Sequence, residues 1–321
     1  MRRLLAPAGA SLLLYAALFG LILDRPLSLG PPRALLDARL ARAEGIMGPK
    51  LVILAGSNGP YSHRCETMEP ILGRPCVNGG LAVGFSLDYL FARWKPRLHP
   101  GDIVYLPLEE AHFTRPRQAD ALGPDAAIMA RHDRVTLASL PPQRWLGALF
   151  AFDARAGVMS LIEMALLAGG FQDPRDAVTG TTNAWGDHAG HTAALAAANQ
   201  AMLAAIVPRH ARPADIAAGA AHDSLTAFLA WARQHEVLAI GGRATTFADS
   251  PPPADTVAAL RALFETGSGA FLALPNGSTY PRGAFFDTAD HLHEAAQIAH
   301  SIRIAQALRA FIAARESPSF P

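Results

Sequence analysis

Cysteine is scarce in this 321-residue chain, which has only Cys65 and Cys76. That excludes a cysteine-built metal centre and a fold held mainly by disulfides. An excess of charge of either sign is also missing, because 28 Lys and Arg stand against 27 Asp and Glu, a net charge of +1. Without a basic footprint the chain lacks the surface that nucleic-acid binding needs, so nucleic acid is not an expected partner. Internal repeats are absent too. The 27 Gly and 25 Pro follow no fixed period, which rules out collagen-like and solenoid architectures. Half of the residues are hydrophobic and only 17% are charged, so the chain is no disordered polymer and can bury a core in one large or two modest domains.

What the chain does have is an uncharged apolar run, Leu4 to Leu23, preceded by Arg2 and Arg3. At about 1.5 Å per helical residue, such a run matches the ~30 Å hydrocarbon core of a bilayer. It ends in Leu21-Ile22-Leu23-Asp24 instead of the small residues of a cleavage site, so residues 1–25 read as an uncleaved anchor more readily than as a removed signal. Arg25, Arg33, Arg39 and Arg42 follow the run and blunt the charge asymmetry that sets orientation. The cysteines supply orientation instead. A Cys65–Cys76 bridge would persist in the periplasm and not in a reduced cytosol, whereas two buried thiols are the alternative. The expected arrangement is an inner-membrane anchor with the rest of the chain in the periplasm.

Residues 26–47 read as a linker, stiff over Pro26–Pro32, and a first helix over Ala34–Ile46. Leu51–Ala55 is a short apolar run broken by Gly56-Ser57-Asn58-Gly59-Pro60, the pattern of a strand buried on both faces of a parallel sheet. Further strands are expected at Pro75–Asn78, Asp102–Leu106, Glu236–Ile240 and Ala270–Leu274. Helices are expected at Glu66–Leu72, Ala82–Trp94, Ser224–His235, Thr256–Glu265 and His291–Arg315. Strands interleaved with helices make an α/β fold over residues 48–321. An insertion at about 112–220 follows the third strand, with helical stretches Ala156–Leu167 and Thr192–Val207 around the turn-rich Thr179–Gly190. Insertions at the carboxyl ends of parallel strands usually build the binding crevice.

Ser57 directly follows the first strand, which places its hydroxyl at a strand's carboxyl end with backbone N–H groups nearby. A serine nucleophile needs that exposure and those donors, because the attacked carbonyl becomes an oxyanion. A plain Gly-Ser-Asn-Gly turn is the competing reading. The far end of the chain shifts the balance, where Phe286-Asp287-Thr288-Ala289-Asp290-His291 brings a carboxylate and an imidazole together. A base for serine needs one ring nitrogen toward the hydroxyl and the other held by a carboxylate. Asp287, four residues before His291, would share a face with it on a helical turn, whereas Asp290 would tend to point away. The competing role for Asp287 or Thr288 is to cap the final helix.

Asn183-Ala184-Trp185-Gly186-Asp187-His188-Ala189-Gly190-His191 forms a second cluster. Trp185, Asp187 and His188 suit a loop that meets sugar through a stacked ring and polar groups. A structural turn, or a metal site made by Asp187, His188 and His191, are the other readings. No cofactor is expected.

The sequence resembles the SGNH (GDSL-type) hydrolases and acyltransferases, and within them the membrane-anchored periplasmic branch linked to polysaccharide O-acetylation. The resemblance rests on Gly56-Ser57-Asn58 after the first strand, Val77-Asn78-Gly79-Gly80-Leu81-Ala82-Val83-Gly84, Leu106-Pro107-Leu108-Glu109, and Phe286-Asp287-Thr288 with His291-Leu292. It covers roughly residues 48–112 and 236–315 and leaves the insertion out. The family implies a three-layer α/β/α sandwich with a mostly parallel, flavodoxin-like sheet, and a triad of Ser57, His291 and Asp287. It also implies an oxyanion hole from the Ser57 amide and a glycine amide, Gly80 or Gly84, with Asn78 beside them. Where the family usually has an oxyanion asparagine this chain has Glu109. An ionised carboxylate would repel an oxyanion, so Glu109 either serves another role or leaves the hole to backbone groups.

The expected function is that of a serine esterase or O-acyltransferase acting on acyl, in the first place acetyl, esters of a cell-surface or extracellular polysaccharide. For transfer, the resemblance implies a multi-span membrane acyltransferase as the acyl source. The alternative is a non-catalytic polysaccharide-binding or assembly subunit of an acetylation machinery.

Overall fold

The computed structural model describes residues 2–22, 30–150, 158, 161–162, 165–166, 168–171, 181–267 and 269–316. They divide into two compact units, Met1–Ala34 with Ala121–Gly180, and Leu35–Asp120 with Thr181–Pro321. The larger unit carries a five-stranded sheet of β1 (Leu51–Ile53), β2 (Cys76–Asn78), β3 (Ile103–Leu106), β4 (Leu238–Gly241) and, after the short β5 (Thr246–Phe247), β6 (Ala270–Phe271). The strand order is β2-β1-β3-β4-β6 and every pairing in it is parallel. Val52 lies opposite both Val77 and Val104. β5 pairs in parallel with β7 (Thr279–Tyr280) as a separate two-stranded ribbon.

These strands are short apolar runs because both faces are covered, leaving no solvated side to call for alternation. Leu51, Ile53, Ile103, Tyr105 and Ile240 pack on one face with Met68 and with Ile304, Ala305 and Leu308 of the Glu294–Glu316 helix. The other face takes Trp94 and Phe264, whose rings lie against Gly79 and Gly241. This is an α/β fold with helices on both sides of a parallel sheet, as expected. The chain runs from β1 outward to β2 and then back across to β3, so the order reverses between β1 and β3. Ligands of open α/β sheets bind in the crevice beyond the carboxyl ends at such a reversal.

α1 (Arg2–Ile22) covers the apolar run except Leu23, which lies outside the described residues. Among the described residues no helix is long and apolar enough to cross a membrane. In the same unit, the Tyr15 hydroxyl donates to the Leu149 carbonyl at 2.8 Å. Of the expected spacer, residues 26–29 fall outside the described residues, whereas Pro31 and Pro32 lie in the first turn of α2 (Gly30–Glu44), where a missing N–H costs nothing. The expected Ala156–Leu167 helix is only sparsely described. The insertion is narrower than the expected 112–220, since residues up to Asp120 and from Thr181 belong with the sheet. Most of α2 belongs there as well.

α3 (Asn58–Ser62) and α4 (Cys65–Leu72) follow β1. Cys65 and Cys76 form a disulfide that ties α4 to the start of β2. Closing so short a loop stabilises by about 2–3 kcal/mol through the unfolded chain. At the amino end of the sheet, away from the Ser57 turn, Lys50 and Asp102 form a fully buried ion pair of 2.7 Å. Asp102 also accepts from the backbone N–H groups of Lys50 and His99.

Candidate active site

Gly56 and Ser57 form the turn between β1 and α3, and Ser57 takes helical backbone angles at the α3 N-cap. From the other end of the chain, His291 Nε2 lies 2.8 Å from Ser57 Oγ, and His291 Nδ1 lies 2.7 Å from Asp287 Oδ1. The three side chains that the sequence singles out therefore make one continuous hydrogen-bonded line. The His291 side chain is 11% exposed, while that of Asp287 is 34% exposed. The line thus sits at the edge of solvent.

The way Asp287 reaches His291 differs from the expected helical turn. The final helix begins only at Glu294, and residues 286–290 form a bend. The Thr288 hydroxyl accepts from the Asp290 and His291 N–H groups, and an antiparallel bridge between Phe285 and Leu292 closes the loop. Neither Asp287 nor Thr288 caps the final helix. Asp290 holds the loop from its backbone, its carbonyl accepting from the hydroxyls of Ser62 at 2.6 Å and Thr245 at 2.8 Å.

Glu109 follows β3 and accepts from the Asn58 N–H at 2.9 Å. Its carboxyl lies so close over Gly56 that a Cβ there would strike it, which explains the glycine. Ser57 Oγ is also 3.5 Å from Glu109, but a hydroxyl has one hydrogen and the 2.8 Å contact to His291 is the better bond. Burial pushes the Glu109 carboxyl up to about 7, against the hydrogen bonds from Asn58 and Ser57. The ionised form, which would repel an oxyanion, is thus the less favoured one on the acid side of neutrality.

Of the two candidate glycines, Gly80 lies against the turn that carries Ser57, where a Cβ would come within 2.9 Å of both Gly59 Cα and Pro60 Cδ. Gly84 instead lies in the turn before α5 (Leu87–Trp94). The Gly80 N–H has only a long 3.4 Å contact to Asn78 Oδ1, and the Ser57 N–H takes no partner among the described residues. Both amides are left to donate to an incoming oxygen. Asn78 is occupied elsewhere, since its amide nitrogen donates to the carbonyls of Gly59 and His63 and to Asp187 at 2.9–3.0 Å. It pins α3 to β2 and is spent as a substrate contact.

The Trp185–Asp187–His188 loop also differs from its expected sugar-facing role. Both Asp187 oxygens accept from backbone N–H groups at the start of α4, Cys65 at 2.9 Å and Glu66 at 3.0 Å. Asn78 and Asn183 donate to it as well, which fills its acceptor sites. The Trp185 indole donates to Glu69 at 2.8 Å and lies under the Arg42 guanidinium at 5.0 Å. Arg39 of α2, which no motif marks, donates to the carbonyls of Gly80 and Gly186 and so ties this loop to the Gly80 segment after β2. The loop is a brace behind the site, and among the described residues no group of three His, Cys, Asp or Glu is placed to hold a metal ion.

Sequence reasoning misses Tyr61, on α3. Its ring stacks on His291 at 4.2 Å with the planes 11° apart, and on His188 at 4.1 Å. Two rings at that distance must take its two faces. Burial pushes the Tyr61 phenol up to about 12, with the Asp287 charge adding to the effect. Burial likewise pushes His188 and His191 down to about 4, so both are neutral imidazoles at physiological pH. Tyr61→Leu is expected to lower kcat for ester hydrolysis about ten- to a hundredfold with KM little changed, because His291 loses the surface that fixes its ring. Tyr61→Phe, which keeps the ring, is expected to retain most of the rate. Equal losses in both variants would show that the hydroxyl matters instead.

No protein-family model matches the chain, and no curated protein or solved structure was found to be similar to it.

Proposed function

We propose that this chain is a serine esterase or O-acyltransferase of the SGNH type, acting on acyl esters of a polysaccharide. The observation that carries the reading is the hydrogen-bonded line Ser57–His291–Asp287 at the carboxyl edge of the parallel sheet. His291 Nε2 takes the proton of Ser57 Oγ as that oxygen attacks the ester carbonyl, while Asp287 holds Nδ1–H and stabilises the imidazolium. The tetrahedral oxyanion receives the Ser57 and Gly80 amides. The C–O bond to the leaving alcohol breaks, His291 returns the proton to that alcohol, and an acyl-serine remains. A water or a sugar hydroxyl then attacks the acyl-serine by the same steps in reverse, which makes one site an esterase or a transferase.

Glu109 fits this scheme as a carboxylic acid. Neutral, it does not repel an oxyanion two bonds from Ser57 Oγ, and it keeps the Asn58 N–H engaged so that the turn holds its shape.

Attachment to a membrane in the periplasm, with a multi-span acyltransferase as acyl source, belongs to the same proposal. It is supported by the disulfide, which suits an oxidising compartment. It is also supported by the exposed apolar side chains of the smaller unit: Leu12, Leu13 and Leu14 on α1, and Trp145, Leu146 and Leu149 on the Pro142–Phe150 helix. Exposed apolar groups in that number mark a lipid or protein contact.

The test is hydrolysis of 4-nitrophenyl acetate by the full chain in detergent, followed under rapid mixing. A burst of 4-nitrophenol equal to the enzyme concentration, then a slower steady rate, is the expected result. No release above the buffer rate from folded protein would leave the non-catalytic subunit as the better reading.

A further inference from the structure

A cavity of about 360 Å³ is lined by the sequence neighbours of two residues of the proposed site, Glu110 after Glu109 and Asp290 before His291. Ser57 is not among its walls. An occupant is therefore not the acyl group on the serine but a neighbouring part of a longer molecule. Leu108, Ile216 and Leu260 supply apolar wall, suited to the C–H face of a sugar ring.

The polar side of the cavity is unbalanced. Arg243, just past β4, lines it, and its guanidinium makes no hydrogen bond or ion pair among the described residues; its Nη2 is buried without a partner. Arginine stays charged in proteins, and a buried unpaired donor of this kind costs stability unless something fills it. Glu110 is the carboxylate whose charge acts on Arg243, but its oxygens accept from the Ala211 N–H at 2.6 Å and face His210 at 3.3 Å. Burial, with Glu109 and Glu110 adding to it, pushes the Asp290 carboxyl up to about 8, so its protonated form is the favoured one at neutral pH. Either anion would meet Glu110 nearby, but a carboxylate brings one charge against it where phosphate brings up to two, and its plane also matches the guanidinium fork.

We propose that this cavity is a subsite for a carboxylate-bearing sugar unit, a uronate, of the acceptor polysaccharide, with Arg243 as its anion-binding residue. The inference rests on the polysaccharide reading of the site, so its test is a binding measurement that needs no turnover.

Full-length Ser57→Ala protein is titrated with trigalacturonate and, separately, with maltotriose, following ligand-detected NMR saturation transfer and calorimetry. Binding of the uronate trimer at least tenfold tighter than the neutral trimer is expected, as is a loss of about tenfold or more when Arg243→Gln is added. Circular dichroism verifies that the variant is folded. Should Arg243→Gln fail to fold, Val257→Phe narrows the cavity from the facing helix with Arg243 in place, and the same loss is expected. Equal binding of the two trimers, unchanged uronate binding in the folded variants, or displacement of the uronate by equimolar inorganic phosphate would each overturn the assignment. Uronate binding with no esterase activity in the parent protein would instead count against the catalytic reading alone.

Discussion

Ser57→Ala is expected to lower hydrolysis of 4-nitrophenyl acetate by about 10⁴-fold or more, to near the rate of the buffer. Without Oγ no acyl-serine forms, and the remaining groups do no more than polarise the ester and hold a water. Stability is expected to change little, because Ser57 is only partly buried and its short hydrogen bond runs to His291 instead of into the core. Steady-state kinetics together with a urea melt separate the two effects. A variant that keeps a tenth or more of the parent rate would show that hydrolysis occurs elsewhere on the protein.

Asp287→Asn is expected to cost about 10³- to 10⁴-fold in kcat with little change in KM. The amide is nearly the same size as the carboxylate, but it has no charge to offset the imidazolium and it permits the wrong tautomer of His291. Its neighbour Asp290 affects stability instead. Burial pushes Asp290 up to about 8 and Glu109 up to about 7, with the charges of Glu109 and Glu110 adding to the effect at Asp290. In the unfolded chain both ionise at about pH 4. The native state thus holds protons that the unfolded state has already shed. The stability linked to them is fully present below about pH 4 and is lost as pH rises through the folded values near 7 and 8. Urea denaturation at intervals from about pH 5 to 9 is expected to show this decline, and Asp290→Asn is expected to flatten it. An Asp290→Asn curve as steep as the parent's would mean that this carboxyl is ionised in the folded chain.

How far the sequence reaches depends on how local the determining physics is. The five main strands are legible because each is a short apolar run buried on both faces, ending in Gly, Pro or a polar residue. β5 and β7 carry two residues each and have no periodicity to read. Helix starts read from the sequence fall too early where a loop has work to do at the site. Ala82–Ser86 stays outside α5, past the Gly80 segment that lies on the Ser57 turn, and His291 lies outside the final helix because Thr288 and the Phe285–Leu292 bridge fold its loop back.

The catalytic candidates stand out because their chemistry restricts which residues can serve. Trp185, Asp187 and His188 look similar for the same reason, yet their hydrogen bonds to Glu69, Cys65 and Thr181 make them scaffold. Tyr61, Arg39 and Arg243 escape a sequence reading because nothing near them in the chain marks them. Tyr61 meets His291 across 230 residues, and Arg39 meets Gly186 across 147. Such pairings are made by the parallel crossovers of the sheet, which bring distant loops to the same edge.

The central claim is an acyl-serine at position 57, and intact-protein mass spectrometry after brief exposure to 4-nitrophenyl acetate at low pH tests it most directly. One added acetyl group is expected in the parent protein, mapped to the peptide that contains Ser57 and lost on standing at neutral pH. No such adduct is expected in His291→Ala under the same exposure. Rapid hydrolysis with no adduct at Ser57, or an adduct that forms as fast in His291→Ala, would contradict the claim.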